Sequence, residues 1–139
     1  MPVCLFWASL FRMTKWGIIA PGRIAAKFAS DLRFVPEARL TGVAGRGMES
    51  VNRFAGEFGA RAFASIDALL DSDVDAVYVA SPNTSHAEHA LRAIEAGKAV
   101  LCEKPFALDL AQGGRVVEAA RTRRVFLMEA MWTRFFPAV

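Results

Sequence analysis

Short apolar stretches alternate with amphipathic ones along most of this chain. The apolar runs have the length of β-strands and cover residues 16–20, 38–44, 60–64, 75–80, 98–102 and 125–129. Stretches with helical spacing of apolar residues cover residues 24–32, 48–59, 65–72, 85–97, 109–123 and, as a single turn, 132–136. Strands that are apolar on both faces and alternate with helices through short links are typical of a parallel sheet covered on both sides. The pattern therefore predicts an α/β fold with a doubly wound parallel sheet.

Capping residues support these boundaries. Gly59 and Gly97 follow the last apolar positions of two helical stretches, where glycine commonly ends a helix. Ser65 is placed to cap the helix that follows it, and Asp109 and Gln112 have the spacing of a capping box.

Composition limits the chain to one domain. Its 139 residues suffice for a single core, and the 11 Phe and 3 Trp indicate either a dense core or a face that meets another domain. The net charge of +3 is spread along the chain, with no basic stripe beyond residues 121–124, so we expect no nucleic-acid partner.

Residues 1–13 form an apolar extension ahead of the first strand. We expect this segment to be disordered or docked on the surface, since it is shorter than the roughly 20 residues that cross a bilayer and lacks a signal-type cleavage site. Cys4 and Cys102 have no metal-ligand spacing. We therefore expect no metal, no membrane partner and a reducing, cytoplasmic setting, with residues 14–139 forming the domain.

The first strand ends in a turn that resembles a dinucleotide-binding loop. In a Rossmann fold the motif G-x-G-x-x-G/A stands here, so that backbone amides reach a pyrophosphate. This chain has Ala20, Gly22 and Ala25 at the three positions, and Ala20 can serve if its φ stays negative. An ordinary Pro-Gly turn is the alternative. The residues predicted to contact the cofactor here are Ala20, Pro21, Gly22, Arg23 and Ile24.

The end of the second strand bears on cofactor preference. NAD sites have an acidic residue here for the ribose hydroxyls, whereas this chain has Gly45 and Arg46. Because a guanidinium suits a 2′-phosphate, Arg46 favours NADP, with NAD possible. A solvated arginine at a helix start is the alternative.

Two later turns offer polar groups. After the fourth strand come Ser81, Asn83 and His86, which could face the cofactor. Alternatively, Asn83 or Ser85 caps the next helix and His86 is exposed. After the fifth strand come Glu103, Lys104 and Pro105. Glu103 and Lys104 are either site residues or ordinary charges at the end of a strand.

Longer motifs settle the interpretation of these turns. DVDAVYVASPNTSHAEHAL (73–91), AGKAVLCEKPFAL (96–108) and LMEAMWTRFFPAV (127–139) resemble the Gfo/Idh/MocA oxidoreductase family. The last motif is similar to the branch of dihydrodiol dehydrogenases and NADP-dependent D-xylose dehydrogenases. The resemblance runs from Lys15 to Val139, with Ala20 as the departure.

The resemblance implies a role for each group. Lys104 would be catalytic, lying near the nicotinamide and bonding the substrate oxygen. Glu103 would lie by the nicotinamide ribose, and Pro105, in a cis peptide, would direct the lysine. Trp132 would form an apolar wall for the substrate. From the residues alone, core packing is the favoured interpretation of Trp132, Phe135 and Phe136.

The resemblance also implies a second domain after Val139, which covers the nicotinamide and is expected to be absent from this chain. One hypothesis is the cofactor domain of an NADP-dependent dehydrogenase that acts on a sugar or cyclic diol and that would form a homodimer when full-length. A second is a nucleotide-binding module without turnover. A third is an unrelated flavodoxin-like or receiver-like domain, which would need a flavin loop or an acidic cluster.

Overall fold

The structure is a computed structural model that describes residues 13–137. The predicted extension, apart from Met13, lies outside the described residues. The strands are β1 (Thr14–Ile19), β2 (Ala38–Ala44), β3 (Arg61–Phe63), β4 (Ala76–Val79), β5 (Ala99–Cys102) and β6 (Leu127–Glu129). The helices are α1 (Arg23–Leu32), α2 (Met48–Phe58), α3 (Ile66–Leu70), α4 (His86–Glu95) and α5 (Leu110–Arg123), with 3₁₀ turns at Asn83–Ser85 and Trp132–Phe135.

The strands form one parallel sheet in the order β3-β2-β1-β4-β5-β6. This order confirms the predicted doubly wound sheet. The chain moves outward from β1 to β3, crosses back to β4 beside β1, and moves outward again to β6. Loops that leave β1 and β4 therefore diverge at the centre of the sheet, where such folds have a crevice.

Two separate cores cover the two faces of the sheet. On one face, α1 and α2 pack over β1 and β2 through residues that include Ala25, Val51 and Phe54. On the other face, α3, α4 and α5 pack over the remaining apolar positions, including Leu69 and Ile94. Because the central strand β4 faces a core on both sides, its sequence is continuously apolar rather than alternating.

The predicted ends of the elements are confirmed with local differences. Gly59 has a left-handed φ of 67° after α2, and the Ser65 side chain accepts a hydrogen bond from the Ala68 amide. The sixth strand starts at Leu127 rather than 125, because Arg124 takes a left-handed φ of 55° and the Val125 amide bonds back to the Ala120 carbonyl.

The predicted capping box before α5 forms only in part. The Asp109 side chain accepts from the Gln112 amide at 2.7 Å. The Gln112 side chain, however, accepts from the Leu108 amide at 3.5 Å instead of from Asp109. Among residues 13–137, no helix combines the length and apolarity that a bilayer crossing requires.

Candidate dinucleotide site

The turns that the sequence singles out meet at the carboxyl edge of the sheet. Since all six strands are parallel, the turns after β1, β2, β4 and β5 leave from the same edge. The turns after β1 and β4 diverge there because the strand order reverses between them.

The turn after β1 presents a helix N-terminus to open space. Gly22 is the N-cap of α1, in an extended conformation with φ −152°, and no side chain caps the helix. Apart from its two chain neighbours, a Cβ built on Gly22 would meet no atom of residues 13–137 within 4 Å. First-turn amides without a capping side chain, beside a residue that leaves room for close approach, suit an anionic phosphate group.

The condition that Ala20 keep a negative φ is not met. Ala20 has a φ of 70°, in the left-handed region that favours glycine. The strand pairing continues to this residue, because the Ala20 amide donates to the Ala44 carbonyl at 2.8 Å. The chain must then turn sharply into α1, and alanine adopts the required angle at a cost of about 1 kcal/mol or more relative to a right-handed conformation.

The turn after β2 packs directly on the turn after β1. A Cβ on Gly45 would lie 2.7 Å from Pro21 Cδ, so only glycine lets the two turns approach this closely. The next residue, Arg46, is exposed, and the segment from Ala44 to α2 holds no carboxylate. The structure thus places an exposed guanidinium where an NAD site has its acidic residue.

Arg46 lines a cavity of about 110 Å³ between the turns after β2 and β4. Its apolar walls include Ile19 and Ile66, and its polar groups include Ser81 and His89. The sequence predicted Ser81 at this site but missed His89. The only available signal was its position three residues after His86 on α4, which puts the two rings on neighbouring parts of one helix face.

His89 is half-buried and forms a hydrogen bond with the Ser81 hydroxyl, at 2.9 Å from Nδ1 to Oγ. Burial lowers the pKa of His89 below its usual value of 6.5, and Arg46 is among the positive charges that lower it further. The imidazole is therefore a neutral group that can accept or donate a hydrogen bond at neutral pH.

His86 links the turn after β4 to the turn after β5. The ring is 1% exposed, with Nε2 2.6 Å from the Ser81 carbonyl oxygen and Nδ1 2.8 Å from that of Pro105. Both ring nitrogens thus lie within hydrogen-bond distance of backbone carbonyl oxygens, and a neutral imidazole donates to only one of them. The predicted contact of His86 with a cofactor stays a prediction.

The alternative interpretation of this segment, with a side-chain cap and an exposed His86, is wrong. His86 is buried rather than exposed, and neither Asn83 nor Ser85 caps α4 through its side chain, since the 3₁₀ turn leads directly into the helix. Asn83 is exposed at the rim of the crevice, where its predicted cofactor contact stays a prediction.

The turn after β5 holds the predicted catalytic group. Lys104 is exposed, and within residues 13–137 its ammonium forms no hydrogen bond or ion pair. The predicted cis peptide before Pro105 is confirmed. Glu103 is half-buried, and its carboxylate accepts a hydrogen bond from the Tyr78 hydroxyl at 2.5 Å.

Trp132 lies near this turn and is 62% exposed. Its ring packs edge-on against Phe136, with centroids 5.1 Å apart. Together with Tyr78 and Glu103 it lines an apolar cavity of about 420 Å³. Phe135 and Phe136 are 70% and 48% exposed, so the interpretation of these three aromatic residues as core is wrong for the described part of the chain.

These features fit a dinucleotide. Along one edge of the sheet lie the uncapped helix, the clear space at Gly22, the guanidinium of Arg46 and the exposed Lys104. This is the site architecture of a dinucleotide-binding Rossmann domain.

Comparison with known protein families gives the same class of protein. The model of the oxidoreductase family with an NAD-binding Rossmann fold, Gfo/Idh/MocA, matches residues 14–131. Because the match covers most of the chain, the protein belongs to this family, as the sequence predicted.

Two individual relatives indicate which branch of the family the chain resembles. The chain is 42% identical over 137 residues to the D-xylose 1-dehydrogenase (NADP(+)) of Hypocrea jecorina, covering 88% of this chain and 35% of the relative. It is 40% identical over 129 residues to the trans-1,2-dihydrobenzene-1,2-diol dehydrogenase of Bos taurus, covering 90% of this chain and 38% of the relative. These similarities confirm the predicted branch.

A solved structure shows the same fold with a cofactor. KijD10, a 3-ketoreductase from Actinomadura kijaniata in complex with NADP and TDP-benzene, superposes with a TM-score of 0.86 at 37% identity, over 89% of this chain and 39% of that one. The chain thus spans between a third and two fifths of the length of the relatives that it matches.

Proposed function

We propose that this chain binds NADP(H) as the cofactor domain of an oxidoreductase that acts on a sugar or a cyclic diol. The observation that carries the proposal is the uncapped N-terminus of α1 beside Gly22, where a Cβ would meet nothing. The NADP-dependent relative and the NADP-bound structural neighbour support it.

The residues at the edge of the sheet have separate roles in this proposal. The amides that begin α1 bind the pyrophosphate, with Pro21, Arg23 and Ile24 forming the loop around it. Arg46 binds the 2′-phosphate, and Ser81 with His89 lines the cavity beside it.

Lys104 is the group that we assign to the chemical step. A bound nicotinamide supplies or accepts the hydride. The ammonium of Lys104 donates a hydrogen bond to the substrate oxygen, polarises a carbonyl in the reduction, and stabilises the negative charge that develops on that oxygen. Trp132 offers an apolar surface to the ring of the substrate.

A binding module without turnover is the second candidate. It is favoured by the exposure of Trp132 and Lys104, which leaves the substrate side of the site open to water in this chain. Reduction of NADP⁺ to NADPH by D-xylose or a dihydrodiol in the presence of the purified 139 residues would exclude this candidate.

The test of cofactor preference is calorimetric titration of the chain with NADPH and with NADH. We expect NADPH to bind about ten- to a hundredfold more tightly, since hydrogen bonds to a charged group contribute roughly 1.5–3 kcal/mol. Arg46→Gln should remove this difference and leave NADH binding unchanged. Arg115→Gln, an exposed residue of α5 with the same charge change, should preserve it. Equal affinities for the two cofactors in the unaltered chain would contradict the role of Arg46.

A further inference from the structure

Three side chains hold the residues on both sides of Lys104. The Tyr78 hydroxyl donates to Glu103 Oε1 at 2.5 Å. The Phe106 amide donates to Glu129 Oε1 at 3.1 Å. On the remaining side, His86 Nδ1 lies 2.8 Å from the carbonyl oxygen of Pro105, as described above. The three contacts come from β4, α4 and β6, so the turn is fixed from three directions.

Tyr78 is the most deeply placed of these groups. Its side chain is 2% exposed within the core between α1 and the sheet, and its ring stacks on Phe28 with centroids 4.2 Å apart. Burial, followed by the hydrogen bond and charge of Glu103, raises the pKa of Tyr78. The hydroxyl therefore stays protonated as a donor at neutral pH.

Glu103 connects this buried hydroxyl to the lysine. One carboxylate oxygen accepts from Tyr78, and the other accepts from the Lys104 amide at 3.2 Å. The carboxylate is thus folded back on its own turn. A rotation of Glu103 would release the backbone at Lys104, because the same side chain bonds both groups.

We propose that Tyr78 and Glu129, together with His86, are positioning residues that aim the Lys104 ammonium at the reacting oxygen. Tyr78 acts through the Glu103 carboxylate, and Glu129 acts through the Phe106 amide. This inference deepens the proposed function and rests on it for the role of Lys104.

The first test measures NADPH affinity and backbone order in the same protein. Tyr78→Phe removes one hydroxyl and keeps the stacked ring. We expect it to weaken NADPH binding about five- to tenfold, because Glu103 is released beside the cofactor, and to speed hydrogen exchange of the Lys104 amide. Thr41→Val is the matched control, since Thr41 donates to the Trp16 carbonyl at 3.3 Å elsewhere in the sheet. It should leave both quantities unchanged.

A double variant separates positioning from general destabilisation. In a Glu103→Gln background, Tyr78→Phe should add less than a twofold loss of NADPH affinity, because its effect passes through that carboxylate. A full additive loss would overturn the proposal, as would a single Tyr78→Phe variant that binds NADPH as tightly as the unaltered chain.

Variants of Glu129 provide an independent test that needs no cofactor. Glu129→Ala should speed exchange of the Phe106 amide at least tenfold, and Glu129→Gln, which keeps an acceptor oxygen, should restore protection. If Gln behaves like Ala, the contact has no positioning role. Failure of the unaltered chain to bind NADPH would defeat the proposed function, whereas these exchange rates would still test the link between the side chains and the turn.

Discussion

The glycine at the start of α1 offers the sharpest test of the site. Gly22 has φ −152° and ψ −173°, an extended conformation that alanine adopts without strain. The Cβ of Gly22→Ala would meet no protein atom within 4 Å. The substitution therefore adds a methyl group to the space that we assign to the pyrophosphate and disturbs nothing else.

The expected effect on stability is small. Alanine is a poorer N-cap than glycine by up to about 1 kcal/mol. It also restricts the unfolded chain, which stabilises the fold by about 0.4–1 kcal/mol. Because the two effects oppose each other, the free energy of unfolding of Gly22→Ala should lie within about 1 kcal/mol of that of the unaltered chain.

The expected effect on binding is large. A phosphate oxygen in hydrogen-bond contact lies about 2.9 Å from an amide nitrogen, and the new methyl carbon excludes other atoms to roughly 3.5 Å. The phosphate must withdraw and loses one or two hydrogen bonds of about 1.5–3 kcal/mol each. NADPH affinity should fall at least about tenfold and, if both bonds are lost, more than about a hundredfold.

The assay pairs calorimetric titration of NADPH with urea unfolding. Gly56→Ala is the matched control, since Gly56 lies in α2, its Cβ would also meet nothing within 4 Å, and alanine there should stabilise the helix by about 1 kcal/mol. The control should bind NADPH normally. A folded Gly22→Ala protein that binds NADPH as tightly as the unaltered chain would refute the placement of the pyrophosphate.

Two further predictions follow from groups buried around the site. Because burial lowers the folded-state pKa of His89 below 6.5, the unfolded chain takes up a proton first as the pH falls, and this residue's contribution to stability is lost below pH 6.5. The unfolding free energy of the unaltered chain, measured with urea, should therefore fall more between pH 7.5 and 5 than that of His89→Gln. Parallel pH profiles for the two proteins would contradict this role of His89. Burial raises the pKa of the Cys102 thiol to about 12. In a Cys4→Ser background, a thiol reagent at pH 8 should therefore react with Cys102 only after the protein unfolds. Rapid labelling of the folded protein would show instead that the thiol is accessible.

The sequence predicted the sheet and the edge that carries the site. Strand and helix periodicities are local properties, and strands apolar on both faces can be buried only between two helical layers, so the doubly wound arrangement follows from the pattern. The motif around Lys104 and Pro105 was likewise visible in the chain, down to the cis peptide that its resemblance implied.

Other features were decided only by tertiary contacts. The left-handed φ of Ala20 depends on where α1 must start relative to β1, and the need for glycine at position 45 depends on its 2.7 Å approach to Pro21. The burial of His86 depends on a carbonyl 19 residues further along the chain.

The same distinction explains Tyr78 and Glu129. In the sequence, Tyr78 is one more apolar residue of a buried strand, and Glu129 is a charge at a strand end. Their contacts with the Lys104 turn span 25 residues from Tyr78 to Glu103 and 23 from Phe106 to Glu129. Periodicity reports which face of an element a residue occupies, whereas the partner it meets is set by how the elements pack, and for this protein that packing decides what surrounds the lysine.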